Sequence, residues 1–233
     1  MKILVITGSP HRRGTSMLLA DEFSAGAEAA GHKVIRFDAA SSRIEPCRAC
    51  DYCRSHDTEC IQKDDMVYLR DDLLEADAIA FVTPLYYFGM SAQLKRVIDR
   101  FYALNDALRT PKRALLLATC GDTETWVADA LQAHYEALCR YLRWQDCGRI
   151  IAIGAYTRSD IETSDYPGRA RRLGESLARK PEESQRLTSA DALPTPSARC
   201  RADTGSANRH ATGKRRRMHL LFRLYSVFYC DIV

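Results

Sequence analysis

The chain has 233 residues, 46% of them hydrophobic, which is enough for one α/β domain of about 150–200 residues and a further segment. Its formal net charge is +4, but basic and acidic residues are equal in number over residues 1–180, and the whole excess falls in 181–233. This distribution gives no support to a basic nucleic-acid-binding face on the main domain. No apolar run approaches the roughly 18 residues of a membrane-spanning helix, and the N-terminus lacks a secretory signal pattern. We therefore expect a cytoplasmic protein without membrane association.

Apolar strands alternate with amphipathic helices along the first 180 residues. Nearly continuous apolar runs predict five strands buried on both faces, at 2–6, 33–37, 78–83, 114–119 and 149–153. Helices are predicted from Thr15 or Ser16 as N-cap to Gly31, from Asp64 as N-cap to 75, and at 93–102, 124–143 and 169–179. This order predicts a flavodoxin-like α/β fold, a doubly wound five-stranded parallel sheet of order 2-1-3-4-5 with helices on both faces.

The composition changes near residue 181. Residues 182–217 are rich in Ser, Thr, Pro, Arg and Ala and show no helical or strand period, and four basic residues at 214–217 precede an apolar end. We therefore divide the chain into a flavodoxin-like domain, 1–180, and a disordered basic C-terminal extension, 181–233. A membrane-surface or partner-binding tail is the alternative.

The loop at residues 8–16 lies between the first strand and the first helix. A phosphate needs convergent N–H donors, which a helix N-terminus supplies together with a favourable dipole. The loop lacks both the Gly-Lys-Ser/Thr end of a P-loop and the dinucleotide Gly-x-Gly-x-x-Gly pattern, and an ordinary polar turn is the alternative. The residues predicted to hold a phosphate, with Arg13 as an alternative source of charge to Arg12, are Ser9, Pro10, Arg12, Gly14, Thr15 and Ser16.

The loops after the third and fourth strands supply candidates for a ring-binding site. Three consecutive aromatic residues follow the third strand, where a planar flavin ring would find the π-rich walls it needs. By itself this loop can also be an exposed interface patch, but beside a phosphate site it predicts a cofactor cavity. The residues predicted to border the ring are Pro84, Leu85, Tyr86, Tyr87, Phe88 and Gly89 from the first loop, and Thr119, Gly121 and Asp122 from the second.

Four cysteines crowd into residues 47–60 with the spacing Cys-x2-Cys-x2-Cys-x6-Cys: Cys47, Cys50, Cys53 and Cys60. Such spacing lets one loop wrap four thiolates around a [4Fe–4S] cluster or a structural zinc. In a chain without a secretion signal, this clustering favours metal or redox chemistry over a disulfide framework. Free thiols, a redox disulfide or a loop that covers the flavin edge remain as alternatives.

The other cysteines and the histidines show no catalytic pattern. Cys120, Cys139 and Cys147 fall in predicted strands or helices and are expected to be small core residues. No Ser-His-Asp triad or carboxylate pair is evident. The histidines expected to be exposed are His11, His32, His56 and His134.

The motifs at 8–10 (Gly-Ser-Pro), 14–16 (Gly-Thr-Ser), 83–87 (Thr-Pro-Leu-Tyr-Tyr) and 94–100 (Leu-Lys-Arg-Val-Ile-Asp-Arg) occur together. Their combination over residues 1–180 resembles the NADPH-dependent FMN reductase family, and most closely its iron–sulfur flavoprotein branch. The resemblance implies noncovalently bound FMN, with its phosphate on the 8–16 loop, and a homodimer or homotetramer. It also implies helix anchoring and subunit contacts for Lys95, Asp99 and Arg100. The family usually has Asn-Thr where this chain has Thr15-Ser16, but a hydroxyl remains.

The resemblance implies an FMN-dependent oxidoreductase that takes electrons from NAD(P)H and passes them to a flavin, a quinone or another small acceptor. No catalytic side chain is expected, because the flavin N5 carries the chemistry. The alternative is an iron–sulfur flavoprotein electron carrier between partner proteins, in which a cluster exchanges single electrons with FMN. A third alternative is a non-catalytic module that acts on a partner through the basic tail.

Overall fold

The computed structural model describes residues 1–177, so the predicted extension at 181–233 lies outside the described residues. The strands are β1 (Lys2–Thr7), β2 (Lys33–Asp38), β3 (Ala78–Tyr86), β4 (Gly89–Met90), β5 (Arg113–Thr119) and β6 (Gln145–Ala152). The α-helices are α1 (Thr15–Ala29), α2 (Met66–Glu75), α3 (Ala92–Asp99), α4 (Asn105–Leu108), α5 (Asp129–Leu142), α6 (Arg158–Glu162) and α7 (Tyr166–Glu175). Within this part of the chain no helix is long and apolar enough to cross a membrane.

Five strands form a parallel sheet in the order β2-β1-β3-β5-β6. Counted as five parallel strands, this is the predicted order 2-1-3-4-5. The additional strand, β4, pairs antiparallel with the end of β3 and was not predicted. Because the order reverses between β1 and β3, the loops after these two strands diverge at the carboxyl edge and leave a crevice there.

Helices cover both faces of the sheet, which explains the continuous apolar strands. In β1, Leu4 and Ile6 pack with α2, α3 and α5, whereas Ile3 and Val5 pack with α1 and α7 on the other face. All four side chains are fully buried. Strands buried on both faces lose the usual alternation of polar and apolar residues. The sequence therefore predicts where these strands lie, but not which face of the sheet each side chain occupies.

Helices α1 and α7 pack at glycine-to-backbone distance. A Cβ atom on Gly26 would collide with the carbonyl oxygen of Arg171, and one on Gly174 would collide with that of Phe23. The end of α1 follows the prediction: Gly31 has φ +79°, and its N–H donates to the carbonyl of Glu28 at 2.9 Å. These contacts fix the helix whose N-terminus faces the candidate site.

Several predicted boundaries were wrong. The predicted 93–102 helix is α-helical only to Asp99 and continues as a 3-10 turn over Arg100–Leu104, and the 124–143 helix opens with a 3-10 turn at Thr125–Ala128. Strand β6 begins at Gln145, four residues earlier than predicted, because its first residues are exposed and polar. Helix α7 begins three residues early, and the predicted end at 179 lies beyond the described residues.

Candidate functional site

One cavity of about 1080 Å³ opens at the carboxyl edge of the sheet. It is bordered by the loops after β1, β3, β5 and β6, the position at which doubly wound sheets bind ligands. Of the fifteen residues predicted to bind a cofactor, Pro10 and Gly89 do not line this cavity. The structure brings the others together: Ser9, Arg12, Gly14, Thr15, Ser16, Pro84, Leu85, Tyr86, Tyr87, Phe88, Thr119, Gly121 and Asp122.

The loop after β1 is fixed at both ends by hydrogen bonds. The N–H of Gly8 donates to the carbonyl of Val82 at 2.8 Å, and the hydroxyl of Ser91 donates to the carbonyl of Gly8 at 2.7 Å. A Cβ atom on Gly8 would lie 2.5 Å from Ser91 Oγ, so only glycine fits beneath α3. At the other end the Gly14 N–H donates to the carbonyl of His11 at 2.9 Å, which turns the chain into α1.

Helix α1 begins at this loop without a side-chain cap. The N-cap residue is Gly14, so the prediction that Thr15 or Ser16 caps the helix was wrong. Thr15 instead donates its hydroxyl to Thr119 Oγ1 at 2.9 Å, joining the loops after β1 and β5. Uncapped N–H groups of a first helical turn are free to bind an anion.

Ser16 lies in the first turn of α1 and borders the cavity. Its side chain is buried, with 1% of the residue exposed, and its hydroxyl has no hydrogen-bond partner among the described residues. A buried hydroxyl without a partner is destabilising by about 1–3 kcal/mol. The hydroxyl, at the positive end of the helix dipole, is therefore suited to a ligand oxygen.

The aromatic loop is a tight β-hairpin. Strand β3 extends to Tyr86 and pairs with β4 across a two-residue turn in which Tyr87 has φ +46° and Phe88 has φ +65°. Positive φ values at both central residues are the geometry of a type I′ turn. The ring of Phe88 stacks on Trp126 with centroids 5.5 Å apart, while Tyr87 is 99% exposed. The hairpin therefore presents aromatic side chains at the mouth of the cavity.

The opposite wall combines the loops after β5 and β6. The N–H of Ala155 donates to the carbonyl of Cys120, and that of Gly154 to the carbonyl of Asp122, both at 2.7 Å. A Cβ atom on Gly121 would lie 2.7 Å from the Tyr156 ring, so glycine allows that ring to approach. The loop after β6, which forms half of this wall, was not predicted from the sequence to border the cavity.

Arg13, the predicted alternative to Arg12, also lines the cavity. Six further lining residues were not predicted: His11, Cys120, Val127, Ala155, Tyr156 and Arg158. Arg158 donates from Nη1 to the carbonyl of Gly14 at 3.4 Å and adds positive charge beside the loop after β1. The parallel sheet itself was a signal for this loop, because all five strands end at the same edge. Cys120 is buried as predicted, but it borders the cavity as well as the core.

The four clustered cysteines all border a separate, small cavity of about 20 Å³. No group of three or more His, Cys, Asp or Glu side chains in residues 1–177 is placed to hold a metal ion. Burial raises the pKa of the Cys53 thiol, and the neighbouring thiols of Cys60, Cys47 and Cys50 raise it further. The thiols are thus neighbours, but the space between them is that of about one water molecule.

The cysteine loop has an unusual backbone. Ala49, Asp51, Asp57 and Thr58 all have positive φ, between +47° and +65°, although none is glycine. A non-glycine residue in this conformation destabilises the fold by up to a few kcal/mol. Where such residues alternate with residues in the right-handed helical conformation, successive backbone N–H groups form a concavity that binds anions and iron–sulfur centres. The backbone and the thiols therefore fit an anionic cluster in type, whereas the cavity must widen to admit one.

A buried ion pair closes the base of this loop. Arg100, 2% exposed, donates from Nη1 to Asp64 Oδ2 at 2.6 Å and from Nη2 to Asp64 Oδ1 at 3.2 Å. Burial alone raises the pKa of Asp64, but the hydrogen bonds and charge of Arg100 hold it below its usual value. Burial lowers the pKa of Arg100, and the bonds and charge of Asp64, followed by the Cys60 thiol, raise it above its usual value.

The buried position of Arg100 corrects its implied role as a subunit contact. Lys95 and Asp99 are half-buried and paired with each other on α3, which agrees with helix anchoring. Asp64, the predicted N-cap of α2, accepts the N–H of Met66 at 3.2 Å. The N-cap position itself is held by the next residue, Asp65.

Some of the remaining predictions on the burial of cysteines and histidines were confirmed, and others were wrong. Cys139 is buried in the core and Cys147 is half-buried. His32, predicted to be exposed, is buried with Nε2 2.6 Å from the carbonyl oxygen of Leu177. His134 is half-buried as well, whereas His11 and His56 are exposed as expected.

The strand order and the cavity at the carboxyl ends of the strands define a flavodoxin-like α/β protein. A family model for NADPH-dependent FMN reductases matches residues 1–157, about two thirds of the chain. The chain belongs to the NADPH-dependent FMN reductase family.

Similar proteins include named flavoproteins and a solved oxidoreductase. An iron–sulfur flavoprotein of Archaeoglobus fulgidus is 41% identical over 102 residues, 44% of this chain and 51% of the relative. One of Methanocaldococcus jannaschii is 32% identical over 125 residues, 52% of this chain and 63% of the relative. The chain thus spans about half the length of the Archaeoglobus fulgidus relatives that it matches. The solved NAD(P)H:quinone oxidoreductase from Methanothermobacter marburgensis has a TM-score of 0.61 and 23% identity, covering 76% of this chain and 96% of its own. At this identity the likeness shows the fold alone.

Proposed function

We propose that the chain binds FMN noncovalently in the cavity of about 1080 Å³ and is an oxidoreductase that takes electrons from NAD(P)H. It passes them to a flavin, a quinone or another small acceptor. The observation that carries the proposal is the buried hydroxyl of Ser16, which has no partner among residues 1–177, at the uncapped N-terminus of α1 and opposite an aromatic hairpin. Family membership supports the same cofactor.

The end of the cavity formed by residues 8–16 suits the phosphate. The first-turn N–H groups and the hydroxyl of Ser16 donate to its oxygens, and Thr15 stays oriented by its bond to Thr119. Arg12, Arg13 and Arg158 surround this end and neutralise the charge of a phosphate dianion. These donors distinguish FMN from riboflavin, which has no phosphate.

The other end suits the flavin ring. Pro84, Leu85 and the aromatic hairpin form one wall, and Gly121 with Tyr156 forms the opposite wall. Bound FMN supplies the chemistry by accepting two electrons as a hydride and releasing them to the acceptor. The side chains of this chain bind and orient the ring and exclude water on the hairpin side, and no side-chain acid or base is needed.

The direct test is purification of the full chain, followed by a flavin titration. We expect yellow protein that binds one FMN per chain and oxidises NAD(P)H when a quinone or free flavin is the acceptor. Riboflavin should bind more weakly than FMN. Colourless protein that ignores added FMN would contradict the proposal.

The four-cysteine loop favours a second candidate function, an electron carrier that holds a [4Fe–4S] cluster as well as FMN. Its support is the shared cavity of the four thiols, the anion-binding backbone conformation at Ala49 and Asp51, and the names of the curated relatives. Anaerobic purification with iron, sulfide and flavin assays tests for the cluster. Reduction only by a ferredoxin-like donor would favour the carrier, and steady NAD(P)H consumption would favour the enzyme.

Three further properties stay predictions: the homodimeric or homotetrameric state, the cytoplasmic location, and the domain boundary at residue 180. The acceptor can be a small molecule or a redox protein. Measurement of the molecular mass in solution tests the first of these.

A further inference from the structure

Arg100 sits at the junction of α3 with the segment that contains the four cysteines. It is the first residue of the 3-10 turn Arg100–Leu104, and its side chain points inward, away from solvent. It borders the same small cavity as Cys47, Cys50, Cys53 and Cys60. A buried arginine is rare unless its donors are used, so each of its N–H groups needs a partner.

Four of the five N–H groups of Arg100 have partners. Two bind the carboxylate of Asp64. Nη1 also donates to the carbonyl of Glu45 at 2.9 Å, and Nη2 to the carbonyl of Gln62 at 3.5 Å. The fifth, Nε–H, is buried and has no partner among the described residues. An unsatisfied donor of a charged group is more costly than that of a neutral one.

The partners of Arg100 flank the cysteine segment. Glu45 precedes Cys47 by two residues and Gln62 follows Cys60 by two, so one guanidinium holds both ends of the loop. The Asp64 carboxylate reinforces this closure by accepting the N–H of Glu45 at 3.0 Å. The loop that carries the four thiols is therefore closed at a single buried ion pair.

The charge and the free donor have separable effects on a sulfur centre. Asp64 neutralises most of the positive charge of Arg100, since the two side chains are only 2–3% exposed and directly bonded. The Nε–H remains as an unused hydrogen-bond donor on a residue that borders the same small cavity as the four thiols. Hydrogen bonds to the sulfurs of an iron–sulfur cluster stabilise its reduced, more negative form and so raise its reduction potential.

We propose that Arg100 is a positioning residue for the four-cysteine loop, and that its Nε–H donates a hydrogen bond to a sulfur of the [4Fe–4S] centre bound there. The inference rests on the second candidate function, not on the oxidoreductase activity. FMN binding at the separate cavity is therefore an independent measure of folding.

The test compares Arg100→Lys with the unaltered full chain after anaerobic reconstitution with iron and sulfide. Lysine keeps the charge but has no Nε–H in this position and no forked geometry. The measurements are iron, sulfide and FMN per chain, and the reduction potential of the cluster by redox titration. The matched control is Arg149→Lys, which alters an ion-paired arginine on β6 that does not border the cysteine cavity.

We expect Arg100→Lys to retain FMN and to lose iron in part, with the remaining cluster about tenfold harder to reduce, a shift of about 59 mV to lower potential for one electron. Complete loss of iron with FMN retained also supports the positioning role. The control should match the unaltered chain. Unchanged iron content and potential in Arg100→Lys would overturn the inference.

A second variant covers the case in which Arg100→Lys loses FMN as well, because breaking a buried ion pair can unfold the protein. Replacing both partners, with Asp64→Leu and Arg100→Met, leaves no uncompensated buried charge. This variant should bind FMN and lose the cluster, and a normal cluster in it would refute the inference. If the unaltered chain binds FMN but no iron, the inference about Arg100 fails while the proposed oxidoreductase function stands. If it binds iron but no FMN, the oxidoreductase function fails and the inference about Arg100 can still be tested.

Discussion

Replacing Ser16 with alanine should stabilise the flavin-free protein and weaken its binding of FMN. Its buried hydroxyl has no partner within residues 1–177, and in the proposed site the FMN phosphate supplies one. In the flavin-free state, alanine removes an unsatisfied polar group that costs about 1–3 kcal/mol and is the better helix former. A gain of about 1 kcal/mol raises the Tm of a domain of this size by roughly 2–4 °C. The two effects have opposite signs, which a general loss of folding cannot produce.

The loss of FMN affinity follows from the charge of the phosphate. A hydrogen bond to a charged group contributes about 1.5–3 kcal/mol, so Ser16→Ala should raise the Kd for FMN roughly ten- to hundredfold. Its Kd for riboflavin should not change. Flavin fluorescence titrations give the Kd for FMN and the Kd for riboflavin, and thermal melts without ligand give the Tm.

Ser24 provides the matched control. It lies in the same helix with 6% of the residue exposed, its hydroxyl also lacks a partner in the described part of the chain, and it does not border the cavity. Ser24→Ala should raise the Tm without changing either Kd. An unchanged Kd for FMN in Ser16→Ala, or an equal loss of riboflavin binding, would show that Ser16 does not contact the phosphate.

Three other substitutions test the packing, the aromatic wall and the buried ion pair. Gly26→Ala should destabilise the protein by about 1–3 kcal/mol in denaturant melts, because its Cβ meets a backbone carbonyl of α7. Gly168→Ala is the control: its Cβ meets only the end of an arginine side chain, so it should be neutral or slightly stabilising. Trp126→Ala removes the stacking partner of Phe88 and should weaken FMN and riboflavin binding equally, by about 0.5–1.5 kcal/mol; an effect on FMN alone would contradict a role at the ring end. The pKa of Asp64 in the folded state lies below its value of about 3.8 in the unfolded chain, so its stabilisation is complete above that pH and is lost as the pH falls through the lower folded pKa. Asp64→Asn should therefore be less stable at neutral pH and show a shallower loss of stability in acid melts, and parallel acid profiles would count against the ion pair.

The features predicted well depend on neighbours in the sequence. Apolar runs such as 114–119 mark strands covered on both faces, and the strand–helix alternation leaves few topologies because crossovers are right-handed. The loop at 8–16 follows directly from its position after β1, and the prediction that it faces the aromatic loop needs only the parallel sheet. These features are local, or follow from local ones by general rules.

The features that were missed depend on distant partners. The turn at Tyr87 and Phe88 lacks the Asn-Gly signature of a two-residue hairpin, so its positive φ values could not be predicted from the sequence. Arg100 looked like a surface residue of a helix, yet it is buried because Asp64 lies 36 residues away in sequence and beside it in space.

The sequence by itself determined the strand order, the place of the loop at 8–16 after the first strand and the aromatic character of the opposite wall, because backbone and burial preferences are set within a few residues. Only the tertiary structure decided that Ser16 is buried without a hydrogen-bond partner in the described part of the chain, that Tyr156 and Arg158 line the cavity, and that one guanidinium joins both ends of the cysteine segment. Hydrogen-bond satisfaction is the reason for this division. Whether a buried donor or acceptor is paired depends on atoms that the fold, and not the neighbouring residues, brings within about 3 Å.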